Sequence, residues 1–242
     1  MSQYKHTIIY LFLNLIMDVT ILVLIFILVL LIILTLTAKY TKEEFVSDNY
    51  KYNKCSYFYD DERRLRKVKI IPGLLSKTQC EFIIKEGENF ASENGWKTSR
   101  HDNYPTTDNE ITKEWDTYNL IMFKVYEHII PELSKLFDIE KYLLGIKEIF
   151  IAKYTPQNQS KLEKHEDGSE LSFVIALNDS YKGGGTNFVK NDIGTIQLKQ
   201  GDSVVFSGKE THEGLPVICG TRYILTGFID IFKYDYCDSV LD

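Results

Sequence analysis

From residue 148 onward the chain is a succession of short β-rich runs punctuated by glycine. EIFIAKY (148–154), LSFVIAL (171–177), TNFV (186–189), TIQL (195–198), SVVF (203–206) and RYILTGFI (222–229) are separated by turn signals, notably Gly183-Gly184-Gly185, Gly194, Gly201-Asp202 and Gly220. Many short strands with glycine-rich turns specify a sandwich or barrel. The expected fold is mainly β within the α+β class: a double-stranded β-helix, the jelly roll, with supporting helices packed on it.

The helices lie upstream. LRKVKII (65–71) alternates and ends at Pro72-Gly73, which reads as a strand and turn. Ser76 and Gln79 make a capping box, and Cys80, Ile83, Ile84, Gly87, Phe90 and Ala91 then recur at helical spacing until Asn94-Gly95. A second helix is expected over about 113–137, with Pro131 bending or dividing it. Trp96, Trp115 and Cys80 read as core residues.

Val19–Thr37 (VTILVLIFILVLLIILTLT) carries no charge over nineteen residues, enough helix to cross a bilayer and longer than a secretory signal's apolar region. Residues 1–38 are therefore expected to be a transmembrane anchor. The polar, tyrosine-rich stretch 39–64 reads as a linker or stalk, and 65–242 as the globular domain. Lys5 precedes the apolar run and Lys39, Lys42 and Lys51 follow it, a bias too small to fix orientation. With 28 basic and 34 acidic residues the net charge is −6, which sets nucleic acid aside as a partner. The four cysteines show no C-x-x-C spacing; Cys55 and Cys237 flank the domain and could pair.

Two of the five histidines stand among the β-runs beside carboxylates. In extended chain, His165 and Asp167 point to the same side and could share one ion. His212, after the run 203–206, offers a third ligand. Two imidazoles and one carboxylate form the facial triad of non-haem Fe(II) oxygenases. H-x-D alone is a frequent chance match; Arg222, ten residues beyond His212, adds weight. It heads a run that looks buried, where a charge needs an anionic partner, and its planar fork suits the far carboxylate of 2-oxoglutarate. Thr226 could face the same site. Asn178 reads as a turn residue sooner than a cosubstrate contact, and His101 and His128 as surface or helix residues. Asn158-Gln159-Ser160 and Asn178-Asp179-Ser180 match the glycosylation sequon.

Tyr154, HEDGSELSFVIALN (165–178), YKGGGTNF (181–188), THEGLP (211–216) and GTRYILTGFI (220–229) closely resemble the catalytic domain of procollagen lysyl hydroxylases, within the prolyl and lysyl hydroxylase group of Fe(II)/2-oxoglutarate dioxygenases. VKIIPGLLSKTQCEFII (68–84) is similar to the first strand and helix of prolyl 4-hydroxylases, and one N-terminal anchor on a one-domain chain resembles their membrane-anchored forms. The resemblance implies Fe(II) on His165, Asp167 and His212, 2-oxoglutarate on Arg222 and Tyr154, and L-ascorbate to keep iron reduced. It also implies hydroxylation of a peptide substrate, probing first for proline in collagen-like chains, in an endoplasmic-reticulum-type endomembrane with the domain luminal. Two departures from the prolyl pattern, Arg222 in place of Lys and Leu162 in place of Tyr three residues before His165, make peptidyl lysine the alternative. A catalytically inactive metal-binding membrane adaptor is the reading from another class.

Overall fold

The computed structural model describes residues 28–29, 53–54, 67–101, 103–189 and 193–233. The expected anchor lies outside the described residues apart from Leu28 and Val29, which are helical and exposed. Among the described residues no helix is long and apolar enough to cross a membrane. Cys55 and Cys237 also lie outside; Cys80 and Cys219 are free. The chain divides into Met1–Lys51 and Tyr52–Asp242; the following concerns the second unit.

Its strands are β1 (Asn53–Lys54), β2 (Val68–Ile71), β3 (Asp108–Glu110), β4 (Leu144–Tyr154), β5 (Leu162–His165), β6 (Leu171–Ala176), β7 (Lys182–Gly183), β8 (Thr186–Phe188), β9 (Gly194–Ile196), β10 (Ser203–Ser207), β11 (His212–Gly214), β12 (Val217–Cys219) and β13 (Arg222–Lys233). The main sheet has the order β2-β10-β6-β13-β4-β3, with β1 added to β13; a second sheet runs β5-β11-β8-β9, and β7 pairs with β12. Every pairing within them is antiparallel. These sheets are the jelly roll expected. The short β1 shows that part of the presumed stalk joins the domain's sheet.

Alternation along the main sheet separates two cores. Ile149 and Ile151 of β4, Phe173 and Ile175 of β6, Val205 of β10 and Leu225 and Ile229 of β13 join the apolar cluster that also holds the helices. Their alternate neighbours Phe150, Ala152, Tyr154, Val174, Ala176, Val204, Phe206 and Ile224 join Phe188, Ile196 and Leu198 of the second sheet's side in the other cluster. Period-2 side-chain placement makes one sheet the wall between two interiors. In β4 the pairing jumps from Phe228↔Glu148 to Ile229↔Ile146. Lys147 is thus an extra residue, and the bulge carries the pattern from even positions (Leu144) to odd ones (Ile149, Ile151) on the helix side.

Helix α1 (Lys77–Asn94) starts in the expected capping box, with Gln79 N–H donating to Ser76 Oγ at 3.2 Å and Ser76 N–H to Gln79 Oε1 at 2.9 Å. It buries Cys80, Ile83 and Gly87. The single helix expected over 113–137 is instead α2 (Tyr118–Lys124), a π-turn (Val125–Ile129) and α3 (Ile130–Phe137). Pro131 has no N–H to donate and its ring crowds the preceding turn, so the ladder widens just before it: Ile130 N–H reaches Val125 O, five residues back. Trp115 is buried and Trp96 packs against the helix-side core, as expected. Burial pushes the Cys80 thiol up to about 11, so it is an inert core group.

Gly201 opens the turn into β10 at φ +88°, and a Cβ there would stand 2.1 Å from the Leu75 carbonyl oxygen. Leu75 N–H donates to Gly201 O at 3.0 Å, so the two backbones are in direct contact. Gly201→Ala is expected to destabilise the domain by about 3 kcal/mol or more, read as a lower denaturant midpoint; an unchanged midpoint would contradict this contact.

Candidate metal centre

β5 and β11 are neighbours in the second sheet, and their register sets His165 directly opposite His212. The two rings lie 4.3 Å apart, centroid to centroid. Asp167, two residues past His165, leaves the strand and is fixed by its N–H donating to Gly208 O at 2.7 Å and by Lys209 Nζ donating to its own carbonyl at 3.2 Å. Asp167 Oδ1 then stands 3.3 Å from His165 Nε2 and 3.7 Å from His212 Nε2. One ligand atom from each of the three lies within 4.8 Å of the others, and all three residues are buried.

The far side of each ring is fixed in the same way. His165 Nδ1 bonds Glu163 O at 2.8 Å, and His212 Nδ1 bonds Glu210 O at 2.8 Å. A carbonyl can only accept, so both Nδ1 atoms carry the proton and both Nε2 lone pairs face Asp167. Phe206, 4.8 Å from the His212 ring and edge-on to it, and Phe188, at 6.0 Å, hold that ring from behind. Two imidazole nitrogens and one carboxylate oxygen on one side of a buried point are a donor set suited to Fe(II), leaving positions for further ligands.

Burial opposes the charged form of all three groups. It holds His212 below the ordinary imidazole value even against the pull of Asp167. For His165 burial is outweighed by the hydrogen bond and charge of Asp167, so its pKa rises. Burial likewise works against the Asp167 carboxylate, but the charge of His212, the His165 hydrogen bond and Ser172 hold its carboxyl below the ordinary value.

Arg222 opens β13 opposite Tyr154 of β4 and is buried between the sheets. Its Nη2 donates to Thr186 Oγ1 of β8 at 3.4 Å, so the guanidinium crosses to the sheet that carries His212. Its Nε has no hydrogen-bond partner, and among the described residues no carboxylate pairs with it. A buried cation in this state is complementary to an anionic ligand. Gly184 permits the approach: at φ +68° it has no side chain, and a Cβ there would crowd Arg222 Cδ at 3.2 Å. The guanidinium lies 5.7 Å from the Tyr154 ring centre. Burial pushes the Tyr154 phenol up to about 12, with Arg222 opposing, so its hydroxyl remains a donor at neutral pH. Thr226 is buried and shares Arg222's side of the strand by period-2 parity.

Asn178 is not free to meet a ligand or a glycan: its Nδ2 donates to Thr221 O and its Oδ1 accepts from Tyr223 N–H. His128 is exposed on the π-turn, as expected. His101 departs from its expected surface place. Its ring lies 4.9 Å from Phe150 and 6.1 Å from Phe228, and its Nε2 is 3.6 Å from Asp108 Oδ2. Asp108 is fully buried opposite Ala152, where it also meets Arg100 and Thr106; Arg100 further pairs with Glu148. Tyr104 lays its ring 4.9 Å from that of His165. None of these stands in a motif; the short strand DNE and the loop before it are polar, and only the folded chain brings them to the site.

The fold and this donor set are similar to those of 2-oxoglutarate- and Fe(II)-dependent oxygenases. Solved structures of similar fold include the viral collagen prolyl hydroxylase of Paramecium Bursaria Chlorella virus-1 in its 2-oxoglutarate complex (TM-score 0.51, 20% identity, 69% of this chain and 96% of that one). A Pseudomonas putida prolyl-4-hydroxylase is another (TM-score 0.54, 18% identity, 68% and 92%). No protein-family model matches the chain. In sequence it is 32% identical over 169 residues to human procollagen-lysine,2-oxoglutarate 5-dioxygenase 2, covering 65% of this chain and 23% of that protein. Chicken procollagen-lysine,2-oxoglutarate 5-dioxygenase 1 is 30% identical over 174 residues, with the same coverage. In sequence the chain is similar to procollagen-lysine 2-oxoglutarate dioxygenases and in fold to prolyl hydroxylases, and it spans 23% of the length of the curated lysyl hydroxylases it matches.

A metal ion must displace any proton on Nε2. Because the His165 pKa is raised, its proton competes as pH falls through a value above ordinary imidazole, whereas His212, lowered, stays neutral longer. Mn(II) affinity is therefore expected to fall as the pH is lowered through the imidazole range, starting above the ordinary imidazole value. Calorimetric titration across that range tests this; a flat profile would show that His165 does not compete.

Proposed function

We propose that the chain is an Fe(II)- and 2-oxoglutarate-dependent hydroxylase of peptidyl side chains in collagen-like substrates, held at an endoplasmic-reticulum-type membrane by the apolar run 19–37 with its domain luminal. The observation that supports this best is the pairing of the buried His165, Asp167 and His212 set with a buried arginine that no carboxylate among the described residues neutralises. His165, Asp167 and His212 would hold the metal, and their Nδ1 bonds keep both Nε2 lone pairs aimed at it. Arg222 would take the distal carboxylate of 2-oxoglutarate as a bidentate partner, with the Tyr154 hydroxyl donating beside it. Burial of these groups excludes water from the oxidation. Iron, when bound, supplies the redox chemistry by which 2-oxoglutarate and dioxygen give succinate, carbon dioxide and one hydroxyl on the substrate. L-ascorbate keeps that iron reduced between turnovers.

Proline is the first reading of the acceptor, from the likeness of residues 68–84 to the first strand and helix of prolyl 4-hydroxylases. Lysine is the second, favoured by a specific observation: the matched sequence relatives are named as procollagen-lysine dioxygenases. Gly-X-Y peptides containing Pro or Lys, incubated with Fe(II), 2-oxoglutarate and ascorbate, separate the two by the residue that gains one oxygen in mass spectrometry. A gain confined to Lys removes the prolyl reading, and no succinate from any peptide removes the enzyme reading in favour of an inactive adaptor.

His165→Ala and His212→Ala are each expected to abolish turnover while the domain stays folded, since both rings are polar groups at the rim of the core. Arg222→Ala should raise KM for 2-oxoglutarate by about 100-fold with metal affinity nearly unchanged. Full activity in either histidine variant would overturn the metal assignment.

A further inference from the structure

The peptide groups on both sides of Arg222 are held by one side chain. Asn178 Nδ2 donates to the Thr221 carbonyl at 2.7 Å, and Asn178 Oδ1 accepts the Tyr223 N–H at 2.8 Å. The need for such a clamp follows from the sheet. On one edge Arg222 pairs with Tyr154 of β4. On the other edge the ladder between β13 and β6 ends at Ile224↔Ala176, and only Leu177 N–H, donating to Tyr223 O at 3.0 Å, carries it further. At Arg222 there is no strand left on that side, and the Asn178 carboxamide supplies the donor and acceptor that a strand would. The clamp is itself fixed. Gln200 Nε2 donates to Leu177 O at 3.0 Å, and Gln200 N–H to Asp179 Oδ2 at 3.2 Å.

Beyond its packing beside the Tyr154 ring, the guanidinium has few polar contacts to fix it. Its hydrogen bond to Thr186 is long at 3.4 Å, and its Nε is buried without a partner. Where the charge stands is therefore decided mainly by where the Arg222 backbone stands, and binding groups lose much of their effect when displaced by about 0.5 Å. We propose that Asn178 is a positioning residue for the cosubstrate: it acts through the Arg222 backbone and touches neither the metal nor the 2-oxoglutarate. The inference rests on the reading of Arg222 as partner of the distal carboxylate.

The test compares the full chain with Asn178→Ala and Asn178→Asp, each loaded with Mn(II) in the absence of oxygen. Asn178→Ala loses both hydrogen bonds and is expected to weaken 2-oxoglutarate binding about 10-fold by calorimetry, with Mn(II) affinity within about 2-fold of the parent. Asn178→Asp keeps the acceptor for Tyr223 N–H but loses the donor to Thr221, so its 2-oxoglutarate affinity should fall between the other two. It also keeps the test decisive if Asn178→Ala does not fold. A turn residue without this role would lower the melting temperature and leave 2-oxoglutarate affinity unchanged, and that result overturns the proposal. So does a parallel loss of Mn(II) and 2-oxoglutarate affinity, which would mean general loosening. If the parent chain itself binds no 2-oxoglutarate, the cosubstrate reading of Arg222 fails and takes the proposal with it; if the parent binds and the variants match it, the proposal alone fails.

Discussion

The centre of this protein depends on the register in which β5 meets β11. His165 and His212 are direct partners across that ladder, and a slip of one residue would send one ring to the opposite face of the sheet. The register is held from the other edge as well, where β11 pairs with β8 and His212 stands opposite Phe188. Phe188 packs edge-on against Phe206, and both rings bear on His212. Apolar packing between the sheets and the convergence of the polar ligands are thus one arrangement. The same rings that exclude water from the interior hold the imidazole at its angle.

The main sheet separates support from chemistry. Its helix side is sealed by Ile83, Ile121, Ile129, Leu133 and Phe137, while Arg222, Ile224 and Thr226 of β13 look toward the second sheet. The helices therefore meet the site only through the sheet. Tyr223 illustrates the link. It points to the helix side, where its hydroxyl donates to Glu88 of α1, which also accepts from Lys153 of β4 at 2.7 Å. Those two contacts hold the Glu88 carboxyl below its ordinary value against the opposing effect of burial. The residue beside Arg222 is in this way tied to helix α1.

Much of this was legible in the sequence because it rests on local chemistry. The glycine-punctuated runs gave the sheets, since backbone turns of positive φ need glycine, and Ser76 with Gln79 gave the start of α1. His165, Asp167, His212 and Arg222 were visible because few residue types bind metals or carboxylates inside a β-domain. What the sequence hid had no periodic signal. β5 reads LEKH and β11 reads HEG, polar and short, so neither stood among the β-rich runs although they carry His165 and His212. Asp108 is placed by pairing of β3 with β4, a contact between residues forty or more apart that no spacing rule announces, and Tyr104 in the loop before β3 reaches the His165 ring. The division of the second helix at Val125–Ile129 reflects the missing donor at Pro131, whose effect was expected there but whose π-turn form was not.

The tethers on the two Nδ1 atoms have a further consequence. Each ring is tied to a carbonyl of its own strand, two residues back, so its orientation does not depend on the ion. A receptor assembled beforehand has little rearrangement left with which to tell one divalent ion from another. Affinity at such nitrogen and oxygen donors follows the general order in which Cu(II) and Zn(II) outcompete Fe(II). Under the proposed function, loading with Fe(II) would then be governed by which metals the compartment supplies, and a protein folded in zinc-rich surroundings would emerge mismetallated, well formed and inert.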